Sequence, residues 1–303
     1  MKKRKISMLI LMIAAVALFT ACGKKEVHSY AESYNREAFK DYDDYIKLLK
    51  KSKVKAENTV YKLYACDVLE IVGEYALEEE DFSQEILDEI AALEFNAVIV
   101  TGENIRYFPV FADKKFALYI DESVLCIEEA VFSQNENITS LHLIGNEMEI
   151  NDDAFSQCKN LKSVKMEGTF TYVGENMFSD CINLKEADML ASIEELDEEC
   201  FLGCIRLEQV TLPETLQEIP YRMFYNCIAL PSIDLPDSVT CLESDAFMYC
   251  CSLTEIVLPR SVDTLSGDVF LGCLMLEKVK LDATLTEYVE DEYFDEQIVV
   301  EYY

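Results

Sequence analysis

Glycine, proline and histidine are scarce in this sequence of 303 residues, which contains 9 Gly, 6 Pro and 2 His. So little glycine and proline argues against collagen-like or low-complexity structure. The histidines, His28 and His142, are too few for a zinc site built on paired cysteines and histidines. Glycine-rich phosphate loops, the H-E-x-x-H motif and the EF-hand pattern are also absent. We therefore predict no catalytic residue, no metal site and no cofactor.

Basic residues are also few, because 26 lysines and arginines stand against 58 acidic residues and the formal net charge is −32. Phosphate backbones repel so acidic a chain, so we predict no nucleic-acid partner and favour basic partners or cations. The hydrophobic content of 50% is sufficient for a sizeable core. Acidic runs at residues 194–199 and 290–296 could serve a glycosidase or bind calcium, but we interpret them mostly as solvated surface.

No uninterrupted apolar run reaches the roughly 18 residues that a membrane-spanning helix requires. Residues 6–19 form a shorter apolar stretch behind the basic residues 2–5, which is typical of an export signal. The sequence LFTAC, ending at Cys22, resembles the lipobox of bacterial lipoproteins. That resemblance implies a signal peptide over residues 1–21 and a diacylglyceryl group on Cys22, which would tether the exported protein to the extracellular face of a bacterial membrane. The alternative is an ordinary secretory signal with a chance cysteine.

Residues 22–95 differ in pattern from the rest of the chain. Apolar and charged residues mix at helical spacing over residues 31–58, and DFSQEILDEIAALEF offers Asp81 or Ser83 as the N-cap of a second helix. We predict a small helical region here, acting as a stalk or as an N-terminal cap. The apolar run AVIVTGENI then resembles the first strand of a sheet.

A period of 23 residues runs through the remainder of the sequence. It is marked by equally spaced phenylalanines at Phe132, Phe155, Phe178, Phe201, Phe224, Phe247 and Phe270. Cysteine follows three residues after each phenylalanine, except at Asn135 in the first copy, and leucine or isoleucine follows after six. Apolar residues nine and eleven after the phenylalanine, such as Val210 and Leu212, alternate like a short strand.

This unit resembles the leucine-rich repeat, and LEQVTLPETLQEIPYRMFYNCIAL closely resembles its BspA-type, or Treponema pallidum-type, subclass found in many bacterial surface proteins. The resemblance covers residues 118–281 and implies an α/β solenoid of 23-residue units with a parallel concave sheet. We predict this solenoid over residues 96–303. Its last copy is degenerate, because Tyr293 stands in the phenylalanine position while Val299 and Tyr302 continue the apolar register. One repeat alone does not offset its ordering entropy, so the units must stack.

The 12 cysteines admit more than one interpretation. Zinc binding is disfavoured because each layer supplies a single thiol. Disulfides between layers about 4.8 Å apart are not forbidden by distance, although side chains in a ladder point in parallel. We favour free thiols that fill the turn on the convex side together with the phenylalanines, where cysteine packs as a small apolar side chain.

Along each strand, the residues that alternate with the inward positions point outward from the concave sheet. These outward residues form the candidate binding surface. It is predicted to contain His142, Lys162, Lys165, Glu186, Asp188, Glu208, Gln209, Thr211, Asp234, Glu255, Lys278 and Lys280. The middle of this surface is acidic and its ends carry lysine. Since no nucleophile motif lies near His142, we interpret that residue as a surface residue without a catalytic role.

These observations predict a lipid-anchored cell-surface protein whose concave face binds a protein or another macromolecule. Resemblance to the BspA-type family implies adhesion, which in some members includes attachment to host matrix proteins. Fold-level analogy alone does not identify a ligand. One alternative is a structural or scaffold component of the bacterial cell envelope without an extracellular ligand, and another is an envelope hydrolase or metal binder that uses the acidic runs.

Overall fold

The computed structural model describes residues 52–57, 60–64, 68–73, 75–282 and 298–302. The predicted signal peptide, the predicted lipidation site Cys22, and Tyr293 lie outside these residues. Within the described part of the chain, no helix is both long enough and apolar enough to cross a membrane.

Short strands stacked one after another form the main ladder, which we call the front ladder. Its first sheet contains β1 Val54–Glu57, β2 Tyr61–Tyr64, β3 Val68–Val72, β5 Ala97–Thr101, β7 Phe116–Ile120, β9 Ile138–Ile150, β10 Ser163–Val173, β11 Glu186–Met189 and β13 Gln209–Thr211. Pairing is antiparallel from β1 to β3 and parallel from β3 to β13. A separate parallel sheet continues the ladder with β16 Glu255–Val257, β18 Lys278–Leu281 and β19 Val299–Tyr302.

The register of the front ladder repeats the period of the sequence. Val164 pairs with Ala187, and Ala187 pairs with Val210, so each layer advances the chain by 23 residues. The prediction of stacked 23-residue units with a parallel sheet is therefore confirmed. The α part of the predicted α/β class is not, because the only α-helix among the described residues is α1 (Gln84–Ala91), and turns occupy the side opposite the sheet.

A second ladder of two-residue strands runs beside the first, and we call it the edge ladder. It contains β4 Ala76–Leu77, β6 Asn104–Ile105, β8 Cys126–Ile127, β12 Ser192–Ile193, β14 Glu218–Ile219, β15 Cys241–Leu242 and β17 Thr264–Leu265. The long strands β9 and β10 belong to both ladders, since β9 also pairs with β8 and β10 with β12. Gly145 and Gly168 allow β9 and β10 to approach closely, because a Cβ on Gly168 would lie 2.0 Å from the Gly145 carbonyl oxygen.

The phenylalanines of the repeats stack in one column behind the front ladder. Neighbouring rings from Phe132 to Phe270 have centroids 4.8 to 5.9 Å apart and interplanar angles of at most 29°. These side chains are at most 2% exposed. Stacked aromatic pairs contribute about 0.5–1.5 kcal/mol beyond their buried area, so the column stabilises each layer through its neighbours.

The turns opposite the sheet have a repeated backbone conformation. Residues two before and two after each phenylalanine have positive φ, as at Glu199 (59°) and Gly203 (71°), which flank Phe201. Residues other than glycine adopt this conformation at a cost of about 1–2 kcal/mol. Hydrogen bonds to the next layer fix the conformation nonetheless, for example from the Phe201 N–H to the Met223 carbonyl.

The repeated cysteines lie beside the phenylalanine column, and each thiol donates a hydrogen bond to the carbonyl of the phenylalanine one layer earlier. From Cys158 to Cys273 the sulfur–oxygen distances are 3.1 to 3.3 Å. All described cysteines are free thiols, as predicted. Cysteine in this column therefore joins layers by hydrogen bonds as well as by packing. Burial raises the pKa of thiols such as Cys204 and Cys227 well above the ordinary value.

The described part of residues 22–95 contains more strand than the predicted helical region. Helix α1 begins after Ser83 as expected, and the Ser83 hydroxyl accepts a hydrogen bond from the Ile86 N–H. However, β1, β2 and β3 precede α1, and β3 pairs with β5, so the sheet begins before residue 96. Tyr61 and Leu63 are buried alternately with their neighbours, as in a strand. Short runs that mix apolar and charged residues can fit either the period of a strand or the period of a helix.

The last described strand corrects the predicted register of the C-terminal end. Val300 pairs with Val279 and packs against the core, whereas Val299 pairs with Lys278 and is 56% exposed. Val299 therefore does not continue the apolar column. The prediction assumed an unchanged 23-residue step, but the step from Lys278 to Val299 is 21 residues.

Candidate binding surface

The outward face of the sheet consists of the front-ladder side chains that alternate with core residues, and it corresponds to the surface predicted to be concave. Neighbouring layers place Lys165 beside Asp188 and Asp188 beside Thr211, with Glu186 beside Gln209 in the adjacent column. The separate sheet continues the same two columns with Glu255, Lys278 and Lys280. Lys162 and Glu208 are exposed just before strands β10 and β13, and Asp234 is exposed between β13 and β16.

His142 is the exception among the predicted residues. It pairs with Lys165 in the ladder, as its position requires, but it is only 1% exposed. Its Nε2 lies 2.7 Å from the Glu167 carboxylate. Ile99 and Tyr119, which precede it in the same outward column, are 0% exposed. The interpretation of His142 as a surface residue is therefore wrong, and the accessible part of this column begins at Lys165.

Most lysines of the outward face are held by carboxylates. Lys165 Nζ lies 2.9 Å from Glu167, and Lys185 Nζ lies 3.2 Å from Glu208. Burial tends to raise the pKa of Glu167, but hydrogen bonds from Lys165 and His142 outweigh it and lower that pKa. These ion pairs leave the lysines with little charge to offer a ligand.

A similar pairing occurs at the C-terminal end of the outward face. Lys280 Nζ lies 2.5 Å from Glu255, and Lys278 Nζ lies 3.3 Å from Glu301. The hydrogen bond from Lys280 lowers the pKa of Glu255. Both lysines at this end are therefore compensated by neighbouring layers.

The acidic residues in the middle of the outward face are different. Glu186, Asp188 and Asp234 make no ion pair with any described residue. Glu186 and Asp234 are exposed, and Asp188 is half-buried. Lys162 is also exposed and makes no ion pair with a described residue, but the three unpaired carboxylates outnumber it. The excess charge of the outward face is therefore negative and central, which favours a basic partner.

The front ladder is interrupted at Pro231. At this position of the other repeats a backbone N–H donates to the preceding layer, as from Glu208 to the Lys185 carbonyl and from Thr254 to the Pro231 carbonyl. Proline has no N–H, so the bond to the preceding layer is missing. No backbone hydrogen bond joins residues 232–235 to any described residue, and the two sheets of the ladder end on either side of them.

A pocket of about 600 Å³ lies at this interruption, and we call it the Pro231 pocket. Its lining includes Ile233, Asp234, Leu235, Asp237, Val257 and Pro259. Arg260 and Ser261 complete the lining, and Arg260 Nε lies 3.5 Å from the Asp282 carboxylate. The pocket thus combines an apolar wall with two carboxylates.

Asp234 was predicted as part of the surface, but the Pro231 pocket was not predicted. A signal was present, because Pro231 occupies the position of Lys162, Lys185 and Glu208 in earlier repeats. Val257 gave a second signal, since it is an apolar residue in a column that is otherwise mostly polar from Lys165 onward, and it is 45% exposed.

Carboxylates also cluster around Tyr172. Its hydroxyl lies 3.3 Å from Asp152 Oδ1 and 3.1 Å from Asp197 Oδ2. Burial and the hydrogen bond to Asp197 raise the pKa of Tyr172. Burial and the nearby Glu199 raise that of Glu175. Among the described residues, no group of three or more His, Cys, Asp or Glu side chains is arranged to hold a metal ion.

Parallel strands in 23-residue layers, with leucines and phenylalanines inward and variable side chains outward, define a leucine-rich-repeat solenoid. The model of the BspA type leucine rich repeat region matches this chain in six copies, over residues 111–210 and 174–299. These matches cover more than half of the chain. The protein therefore belongs to the BspA-type leucine-rich-repeat family.

Several solved structures are similar to this chain. A leucine rich cell surface protein from Faecalibacterium prausnitzii A2-165 is 24% identical, with a TM-score of 0.47 over 77% of this chain and 55% of its own. A leucine-rich repeat protein from Bacteroides ovatus ATCC 8483 is 22% identical, with a TM-score of 0.43 over 69% of this chain and 54% of its own. The chain thus spans little more than half the length of these two proteins. No curated protein matches it.

Proposed function

We propose that this chain is a protein-binding module that acts outside a bacterial cell, with the outward face as its binding surface. The observation that carries the proposal is the contrast between the two sides of the front ladder. Inward positions are apolar in every layer, whereas accessible outward positions change from Lys165 to Asp188, Thr211, Asp234 and Val257. A surface that varies while its core is uniform is suited to recognition of one particular partner.

The charge of the outward face supports a basic partner. Glu186, Asp188 and Asp234 are uncompensated, while Lys165, Lys185 and Lys280 are paired. Attractive long-range forces would accelerate association with a basic protein and would weaken as salt rises. We propose adhesion as the biological role, with host matrix proteins among the candidate partners.

The proposed location follows from the N-terminal sequence. Basic residues 2–5, the apolar stretch 6–19 and Cys22 support export and a lipid anchor on the extracellular face of the membrane. Mass spectrometry of the N-terminal peptide from native cells tests this, because a lipidated Cys22 would carry the added acyl mass. A Cys22→Ala variant should leave the membrane fraction, and a variant that remains there would contradict the anchor.

Charge reversal tests the binding surface itself. A variant carrying Glu186→Lys, Asp188→Lys and Asp234→Lys should bind its partner at least tenfold more weakly while keeping its thermal unfolding midpoint. The matched control reverses three exposed acidic residues outside the front ladder, Glu103, Glu129 and Glu136. Equal binding by both variants to purified matrix proteins and to envelope fractions would contradict this function and favour a structural role in the envelope.

A further inference from the structure

We infer that the Pro231 pocket is the specificity site of the outward face and that it binds a lysine or arginine side chain of a protein partner. This inference rests on the proposed function, because it assigns the partner's chemistry at one place on the same face. It is carried by three features of the pocket, namely its apolar wall, its carboxylates and the interrupted ladder beside it.

The apolar wall fits the stem of a long cationic side chain. Leu235, Val257 and Pro259 line the pocket, and Val257 is 45% exposed although it belongs to an outward column. Lysine and arginine cover apolar surface with their methylene groups while keeping the charged end in a polar environment. A volume of about 600 Å³ exceeds what one such side chain needs, so an adjoining aliphatic residue of the partner also fits.

The carboxylates fit the charged end of that side chain. Asp234 and Asp237 line the same pocket and are exposed, and neither makes an ion pair or side-chain hydrogen bond with a described residue. The positive charge nearby belongs to Arg260, which is paired with Asp282. An entering guanidinium or ammonium group therefore meets two uncompensated carboxylates, with which it can form charge-assisted hydrogen bonds.

The interrupted ladder explains why the pocket lies at this layer. In the layers before and after it, backbone groups bond to neighbouring strands, but residues 232–235 make no such bond with the described chain. Buried backbone groups without partners are costly, so these groups must face water or a ligand. Their carbonyls give a partner's donors additional acceptors beside the two aspartates. The loss of the Pro231 N–H thus opens the sheet where Asp234 projects.

Titration of the full chain with a short peptide tests the assignment, and the methyl NMR signals of Ile233 and Val257 report the location. The probe is acetyl-Leu-Arg-Leu-amide, and its uncharged counterpart is acetyl-Leu-citrulline-Leu-amide. We expect the arginine peptide to shift both methyl signals and to bind at least tenfold more tightly than the citrulline peptide. Absence of binding, equal binding of the two peptides, or shifts confined to other methyl groups would overturn the inference.

Two variants separate this inference from the proposed function. A variant with both Asp234→Asn and Asp237→Asn should bind the arginine peptide at least tenfold more weakly. Glu129→Gln, at an exposed acidic residue outside the front ladder, should change the affinity for the arginine peptide by less than twofold. If both variants bind the peptide equally, the pocket assignment is wrong. The proposed function would still stand if the triple charge reversal abolished binding of a whole protein, so the two failures are distinguishable.

Discussion

The thiol of Cys204 donates a hydrogen bond to the carbonyl oxygen of Phe178, one layer earlier, over 3.2 Å. The same carbonyl accepts the N–H of Cys181 in its own layer, so it has one partner within its layer and one from the next. Each repeat from Cys158 to Cys273 makes the corresponding thiol bond. A motif that resembles a row of reactive thiols is therefore a row of donors that joins the layers.

Removal of one such thiol should lower the free energy of unfolding more than removal of a thiol that makes only packing contacts. Cys200 provides the control, because it is also 0% exposed and its sulfur makes no hydrogen bond with a described residue. Both alanine variants lose buried sulfur, but only Cys204→Ala also loses a donor. We expect Cys204→Ala to lower the free energy of unfolding by about 0.5–1.5 kcal/mol more than Cys200→Ala. Urea denaturation measures the difference, and equal costs would show that the thiol bond contributes nothing.

The close approach of Gly168 to Gly145 predicts a strong effect of a single methyl group. Gly168 has φ of 88°, and its substituted Cβ would overlap the Gly145 carbonyl oxygen. Gly168→Ala should therefore lower the free energy of unfolding by roughly 2–4 kcal/mol. Gly267→Ala is the control, because nothing lies within 4 Å of its added Cβ, and it should be neutral or slightly stabilising. Similar destabilisation by both substitutions would contradict the proposed packing of β9 against β10.

Carboxylate repulsion around Glu175 and Glu198 predicts a pH effect on stability. Burial and neighbouring acids, including Asp197 and Glu199, raise the pKa of both side chains. A raised folded-state pKa means that their favourable contribution is present below the unfolded pKa and is lost as pH rises through the folded pKa. We therefore expect Glu175→Gln with Glu198→Gln to stabilise the protein at pH 7 and to have little effect near pH 4.

The size of this effect should be small, because both side chains are exposed to solvent. Relief of like-charge repulsion at exposed sites contributes roughly 0.2–0.5 kcal/mol. Thermal unfolding at several pH values measures it, with Glu214→Gln as an exposed control outside this cluster. A gain that is the same at pH 4 and pH 7 would exclude charge repulsion as its cause.

The repeated part of the fold was predictable because its signal occurs in every layer. Phe201 and Cys204 each recur at the same spacing, and the structure gives them one common environment. The segments that form β1, β2 and β3 occur once, so no repetition in the sequence favoured strand alternation over helical spacing there. Ser83 was recognised correctly because an N-cap acts locally.

The binding surface was predictable in position but not in accessibility. Alternation along a strand places His142 and Asp188 on the same face. It does not reveal that His142 is covered while Asp234 is exposed, because burial depends on which other parts of the chain pack there. The Pro231 pocket depends on the absence of one backbone hydrogen bond between layers. That absence can be recognised only when it is known which residues pair between the layers.

The stacked layers bury the phenylalanine and cysteine columns. Alkylation of the native protein tests this burial most directly. Native protein would be treated with N-ethylmaleimide and mapped by mass spectrometry, with urea-unfolded protein as the reference. We expect Cys126 and Cys241, which are only partly buried, to react first, while Cys158, Cys181, Cys204, Cys227, Cys250 and Cys273 react only after unfolding. If the six buried thiols react in the native protein as fast as Cys126, the layers are not closed and the account is wrong.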